Sequence, residues 1–83
     1  MTAAATSGPV RVKVTFRGDN GAATAARVWR DIRGVQGITS VGNPEGNSII
    51  LDVPGVSNFV EAQVKVRRVV NPMGVGRYDI EPA

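Results

Sequence analysis

The sequence predicts one small α+β domain, built from two strand-helix-strand units that share an antiparallel sheet. Two observations predict it. Apolar and polar residues alternate over residues 10–17, as in a strand with one buried face. Further along, apolar residues recur at spacings of three and four, as in helices that bury one stripe. The chain has 83 residues, which suits one domain with a thin core.

The first strand and the first helix have the clearest signals. Residues 10–17 carry valines and a phenylalanine on the apolar side of the predicted strand. Turn-forming residues follow, and Asp19 or Asn20 is expected to cap a helix over residues 22–33. Gly34 is expected to end this helix, because glycine adopts the left-handed conformation at little cost.

The middle of the chain predicts a hairpin. Residues 38–41 read as a short second strand, and residues 42–47 are a dense cluster of turn formers. Residues 49–53 read as a third strand. Their almost continuous apolar run favours a central place in the sheet.

The second helix is harder to assign. Asn58 with Glu61 resembles a capping box, and the apolar spacing of residues 59–70 suits a helix. The valines of this segment also alternate, and valine favours strands. We expect a helix that ends at Pro72 and a last strand at residues 75–80. The order βαββαβ predicts a ferredoxin-like sandwich, in which two helices cover one face of a four-stranded antiparallel sheet.

The composition excludes several classes of function. The chain has no Cys and no His, which rules out thiol catalysis, disulfides, Cys/His zinc sites and a Ser-His-Asp triad within it. The carboxylates are scattered, with no pair placed for acid–base catalysis. The net charge of +3 is weak support for a nucleic-acid partner. We therefore expect a protein that is not an enzyme and that binds no metal and no cofactor.

The N-terminal segment has no basic start and no apolar core, so it is not a secretion signal. No apolar run approaches the length of a membrane span. We expect residues 1–9 to form a flexible tail and residues 10–83 to form the domain. We also expect the protein to be cytoplasmic, without a membrane partner.

The first half of the chain resembles the heavy-metal-associated domains, the small fold of copper chaperones. Gly18 matches the glycine of that family's Gly-Met-x-Cys-x-x-Cys motif, and residues 37–41, Gly-Ile-Thr-Ser-Val, match the start of its second strand. The family's core positions are apolar here as well, at Ala25, Val28, Ile32 and Val35. The resemblance implies the ferredoxin-like fold.

The metal function of that family does not carry over. Its two cysteines fall here at Gly21 and Thr24, and its methionine falls at Asp19. Copper(I) requires soft sulfur ligands, which these residues do not supply.

A weaker resemblance is to the ACT domains, which share this topology. It rests on the turn at Asp19, Asn20 and Gly21 and on residues 38–40 after the helix. It implies that copies pair edge to edge and that the turn presents backbone N–H groups to a small ligand. A plain β–α turn explains the same residues.

The outward residues of the first strand predict a basic open sheet face. Arg11, Lys13 and Arg17 lie there, and Arg77 joins them from the last strand. The face has no clear stacking aromatic, so base readout is not supported. The alternative interpretation is a solvated face with Arg–Asp ion pairs. Asp52 on the third strand is separately expected to pair with Lys13 across the sheet.

Trp29 is the only tryptophan and lies beside the apolar stripe of the first helix. It either covers the edge of the core or, flanked by Arg30 and Arg33, anchors an interface. The cations at residues 65–68 are expected on a solvated helix face.

Together these residues predict a non-enzymatic interaction module. It binds a protein partner or itself through the basic sheet face, the tryptophan-bearing helix or the sheet edges. One alternative is a nucleic-acid-binding protein that uses the basic face. The other is an ACT-like regulatory domain that binds a small ligand.

Overall fold

A computed structural model describes residues 9–35 and 37–83. The predicted tail, residues 1–9, lies outside the described residues except for Pro9. The elements follow in the order β1 (Val10–Phe16), α1 (Gly21–Ile32), β2 (Thr39–Glu45), β3 (Ser48–Val53), α2 (Phe59–Val70) and β4 (Tyr78–Pro82). One turn of 3-10 helix, Asn71–Met73, follows α2.

The strands form one antiparallel sheet in the order β2-β3-β1-β4, which confirms the ferredoxin-like prediction and the central place of β3. The register brings the apolar residues of neighbouring strands together. Val12 lies opposite Leu51 of β3, and Val14 lies between Ile49 of β3 and Ile80 of β4. Because side chains alternate along a strand, this register sends all of these residues to one face of the sheet.

Both helices cover that apolar face and leave the other face open. α1 buries Ala25, Val28 and Ile32 against the sheet. α2 contributes a second buried stripe. The core is one cluster that also includes Val12, Val14, Phe16, Ile38, Ile49, Leu51, Val53, Ala62, Val66 and Val70. No polar or charged side chain is buried within the described part of the chain.

The helical interpretation of residues 59–70 is confirmed. Ala62, Val66 and Val70 recur every four residues and are fully buried, so the segment buries a helical stripe rather than alternate residues. Half of the predicted capping box forms, because Glu61 reaches the N–H of Ser57 and not that of the N-cap residue Asn58. The Asn58 side chain accepts from the Glu61 N–H at 2.9 Å, and Glu61 Oε1 accepts from the N–H of Ser57 at 3.0 Å.

The ends of α1 differ from the prediction. Asn20 is the residue before the helix, but its side chain makes no capping hydrogen bond, because its backbone (φ −99°, ψ 18°) is not extended. At the C-terminal end of α1, Gly34 does not have a positive φ. The next glycine with a positive φ after the helix is Gly37. The Gly34 N–H reaches the Asp31 carbonyl at 3.1 Å, so a tighter turn ends the helix instead.

The predicted loop over residues 42–47 is also shorter in the structure. β2 runs on to Glu45, and the hairpin turns at Gly46 and Asn47. The carbonyl of Asn47 accepts from the N–H of Phe16 at 2.8 Å, and its side-chain Nδ2 donates to the Phe16 carbonyl at 2.8 Å. These two bonds hold the hairpin turn against the end of β1. β4 begins at Tyr78, three residues later than predicted.

Among the described glycines, Gly21 leaves the least room for a side chain. A Cβ at this position would lie 2.6 Å from the Phe16 carbonyl oxygen and 3.0 Å from Asn47 Cβ. We expect Gly21→Ala to lower the free energy of unfolding by about 1–3 kcal/mol, as overpacking does. Urea unfolding followed by circular dichroism measures this loss.

The matched control is Gly34→Ala at the other end of α1. A Cβ there meets only the Asp31 carbonyl oxygen, at 3.7 Å, and the backbone φ is not positive. This variant should be unchanged or more stable by about 0.4–1 kcal/mol. Equal stability of the two variants would contradict the proposed backbone contact at Gly21.

Candidate functional site

The predicted basic face is neutralised by ion pairs. Arg11 contacts Asp52 through two hydrogen bonds, from Nε to Oδ1 at 2.8 Å and from the guanidinium NH2 to Oδ2 at 3.2 Å. This pair raises the pKa of Arg11 above its ordinary value, chiefly through the hydrogen bond and also through the charge of Asp52. Arg17 donates from Nε to Asp79 Oδ2 at 2.6 Å. Two of the predicted binding cations are therefore held by carboxylates.

The expected Lys13–Asp52 pair is wrong, because the strand register aligns Asp52 with Arg11. Lys13 instead lies opposite Ile50 on β3 and Glu81 on β4. The open face thus has the three cations Arg11, Lys13 and Arg17 and the four carboxylates Glu45, Asp52, Asp79 and Glu81. It carries no excess positive charge for attracting phosphates.

Arg77 lies outside the strands, just before β4. Its carbonyl accepts from the N–H of Arg17 at 3.0 Å, which extends the pairing of β1 and β4 by one hydrogen bond. Its side chain lines a cleft at the start of β4, together with Arg67 of α2 and with Arg17 and Asp79 of the open face.

Trp29 is engaged within the molecule. Its indole Nε1 donates to the Gly42 carbonyl at 2.8 Å, and the Arg33 guanidinium carbon lies 4.2 Å from the ring centroid. The half-buried ring also packs against the core. These contacts favour the interpretation of Trp29 as a cover for the core edge that fixes β2 to α1. Arg30 is exposed and makes no ion pair with the described residues.

The turn before α1 offers little to a ligand. The Gly21 N–H donates to the Gly18 carbonyl at 3.1 Å, and Gly21 itself is buried against the carbonyl of Phe16. Asp19 and Asn20 are exposed, and the Asn20 carbonyl accepts the first helical hydrogen bond, from Thr24. These contacts are those of a β–α turn.

Both sheet edges carry features that oppose pairing with another strand. In β2, Gly42 has a φ of 67°, Pro44 lacks an N–H, and the register shifts between Val41 and Glu45. In β4, Pro82 occupies the last position of the strand. Irregular or proline-bearing edges present few aligned N–H and C=O groups to a second sheet.

The outer face of α2 is the surface that the sequence reasoning missed. Val60 and Val64 are 65% and 47% exposed, and they are the exposed large hydrophobic residues of the described chain. With Val56 they line a shallow groove of 340 Å³. The signal was present in the sequence, because these two valines fall off the stripe formed by the core residues of α2.

Charged side chains border this groove. Glu61 lies toward the start of the helix, and Lys65 and Arg68 lie toward its end. Lys65 Nζ donates to the Pro54 carbonyl at 3.4 Å, which holds its side chain against the connection from β3. Arg68 makes no ion pair among the described residues. We call this surface, formed by Val60, Glu61, Val64, Lys65 and Arg68, the α2 groove.

The excess positive charge of the chain lies on the helices rather than on the open sheet face. The helices and their last turns carry two carboxylates, Asp31 and Glu61. They carry six cations, Arg27, Arg30, Arg33, Lys65, Arg67 and Arg68. The charges on the helices can be counted from the sequence, but the neutralisation of the strand cations depends on the register of the strands.

Within residues 9–35 and 37–83, neither helix has the length and hydropathy needed to cross a membrane. The same residues contain no group of three or more Asp or Glu side chains placed to hold a metal ion.

We expect Trp29→Phe to destabilise the fold through the loss of one hydrogen bond. The phenyl ring keeps part of the packing against the core but leaves the Gly42 carbonyl without its indole donor. The cost is about 1 kcal/mol, which lowers Tm by about 4–8 °C in a domain of this size. Thermal unfolding followed by circular dichroism measures it.

Arg33→Gln is the control for Trp29→Phe, because it removes the stacked guanidinium and keeps the indole. Its cost should be smaller, about 0.5 kcal/mol, as for exposed cation–π contacts. An unchanged Tm in Trp29→Phe would show that the hydrogen bond to β2 contributes nothing.

Comparisons with known proteins gave no relatives from which a function could be transferred. No family model, no curated protein and no solved structure matches this chain. The geometry of the described residues is therefore the basis for a functional proposal, and it singles out the α2 groove as the candidate functional site.

Proposed function

We propose that this protein is a small self-association module in which two copies pack their α2 grooves against each other. The observation that carries the proposal is the exposure of Val60 and Val64 on one helix face. The other large apolar residues of the described chain are buried or half-buried. Covering the two valines removes apolar surface from water, which stabilises the pair by about 25 cal/mol per Å².

The groove is self-complementary when two helices run antiparallel. A two-fold axis beside Val64 brings the two Val64 side chains together and sets Val60 against the aliphatic stem of the partner's Arg68. The same axis brings Glu61 close to the partner's Arg68. Because the acid lies near one end of the groove and the cations near the other, parallel pairing would align like charges instead.

The other surfaces predicted to bind a partner are already engaged in contacts within the molecule or are unsuited to pairing. The open sheet face is balanced in charge, Trp29 is engaged with Gly42 and Arg33, and both strand edges contain prolines. The nucleic-acid alternative relied on that sheet face. The ligand alternative relied on the turn at Gly21, whose N–H is already bonded. Neither alternative is favoured by a specific contact.

Two exposed valines per copy make a small contact, which places the pair among weak, transient interfaces. Such contacts bury less than about 1,200 Å² in total. We expect a rapid equilibrium between monomer and dimer, with dimers appearing as the concentration rises from micromolar to millimolar. A weak interface of this kind becomes effective when copies are tethered or locally concentrated.

The test is a dilution series of the isotope-labelled protein followed by NMR, with sedimentation velocity at the same concentrations. The amide signals of α2 should shift with concentration, and those of the open sheet face should not. Val64→Asp should keep the protein monomeric at every concentration, because each pair would bury two facing carboxylates.

Ala23→Asp is the matched control, since it places the same charge on an exposed position of α1. It should leave association unchanged. Arg68→Glu should weaken association by removing the partner of Glu61, while Arg30→Glu on α1 should not. Spectra that do not change with concentration, or shifts confined to the sheet, would disprove self-association through the α2 groove.

A further inference from the structure

A second concave surface lies at the start of β4, apart from the α2 groove. It is a cleft of 570 Å³, a volume within the range of small-molecule sites. Its walls come from the end of β1, the last turn of α2 and the connection into β4. The lining residues are Arg17, Arg67, Gly76, Arg77, Tyr78 and Asp79.

The charges in this cleft are only partly compensated. Arg17 is paired with Asp79, the one carboxylate in the lining. Arg67 and Arg77 make no ion pair with any residue in the described ranges, 9–35 and 37–83. The cleft, which shares Arg17 and Asp79 with the open sheet face, thus has an excess of two positive charges.

The backbone leaves room beside these arginines. Gly74 and Gly76 have φ values of 67° and 73°, so the connection turns twice through the left-handed region before it reaches Arg77. A Cβ at Gly76 would meet no atom within 4 Å. The cleft wall at this position is therefore bare backbone with open space in front of it.

Tyr78 adds a hydroxyl group to the cleft. The hydroxyl donates to Asn71 Oδ1, which fixes its direction. Partial burial raises the pKa of Tyr78 above its ordinary value of 10.0, and the nearby charge of Arg67 opposes the shift. The group is therefore neutral near pH 7, and Arg67 lies close enough to it to affect its ionisation.

We propose that this cleft binds the phosphate group of a small phosphorylated molecule. Two arginines without carboxylate partners match the charge of a phosphate dianion, and the planar guanidinium forms paired hydrogen bonds to phosphate oxygens. The volume of the cleft leaves space for the organic part of the ligand. The site is separate from self-association, because its lining shares no residue with the α2 groove.

The chemistry favours a small molecule over a nucleic-acid strand. A strand needs cations that continue along a groove, and stacking aromatics for its bases. Beyond the cleft, the neighbouring sheet face is balanced in charge, and the one aromatic side chain of the lining, Tyr78, is half-buried against the core.

The experiment is an NMR titration of the labelled protein at pH 7.5, with inorganic phosphate and then glycerol 3-phosphate as probes. Sodium chloride keeps the ionic strength constant, because nonspecific attraction is screened by salt. Amide signals of residues 76–79 and the Arg67 side chain should shift and saturate. If the organic part is also bound, glycerol 3-phosphate saturates at lower concentration than inorganic phosphate.

Arg67→Gln and Arg77→Gln should each weaken phosphate binding by about tenfold or more, since each removes a charge-assisted contact. Arg30→Gln is the control, because it removes an exposed helical cation that is not part of the cleft lining and should leave binding unchanged. Val64→Asp should also bind phosphate normally, so that failure of self-association and failure of this site are distinguishable.

Tyr78 supplies a second readout, because it is the only tyrosine of the chain. A bound dianion disfavours the phenolate. The pH at which half of Tyr78 is ionised, followed by the absorbance of the phenolate, should therefore be higher in phosphate than in chloride. Linear, unsaturated shifts that Arg30→Gln reduces as much as Arg77→Gln would overturn the proposal. So would a single-stranded oligonucleotide that occupies the cleft more tightly than either phosphate probe.

Discussion

The alternation of side chains along β1 is the constraint on which the rest of the structure depends. Val12, Val14 and Phe16 are fully buried, and the residues between them point to the open face. Because β1 is paired on both sides, its register fixes the inward residues of β3 and β4 as well. A shift of the register by one residue would bury Arg11 and Lys13 under the helices. β1 is therefore compatible with this register and not with the neighbouring ones.

That constraint explains how much of the fold could be predicted. The alternation in β1 and the buried stripe of α1 are local patterns, and both can be recognised from the sequence alone. The partner of Asp52 cannot be recognised in this way, because Arg11 lies 41 residues away and their pairing depends on the long-range register of β1 against β3, to which the bonds between Phe16 and Asn47 contribute. The end of α1 at a tight turn rather than at Gly34 is also decided by tertiary contacts, since Ile38, which follows shortly after, is buried in the core.

The candidate site illustrates a different limit. The valines of residues 59–70 fit both a strand and a helix, because alternating and helical spacings overlap in a short apolar run. Once the segment is a helix, Ala62, Val66 and Val70 fill the core, and Val60 and Val64 are left on the outside. Two of the valines that make the secondary structure ambiguous, Val60 and Val64, thus form the exposed apolar surface. The charge distribution was hidden for a related reason, since only the register shows which strand cations are neutralised.

Arg67 and Arg68 show how one short helix contributes to two surfaces. Consecutive helical residues are rotated by about 100° around the axis. Arg68 therefore borders the α2 groove, while Arg67 turns toward β4 and lines the cleft with Arg77. Neither arginine is needed for the core, which α2 builds from the opposite side with Ala62, Val66 and Val70. Because the stripe that stabilises the helix is separate from both charged surfaces, substitutions at either arginine report on binding rather than on folding.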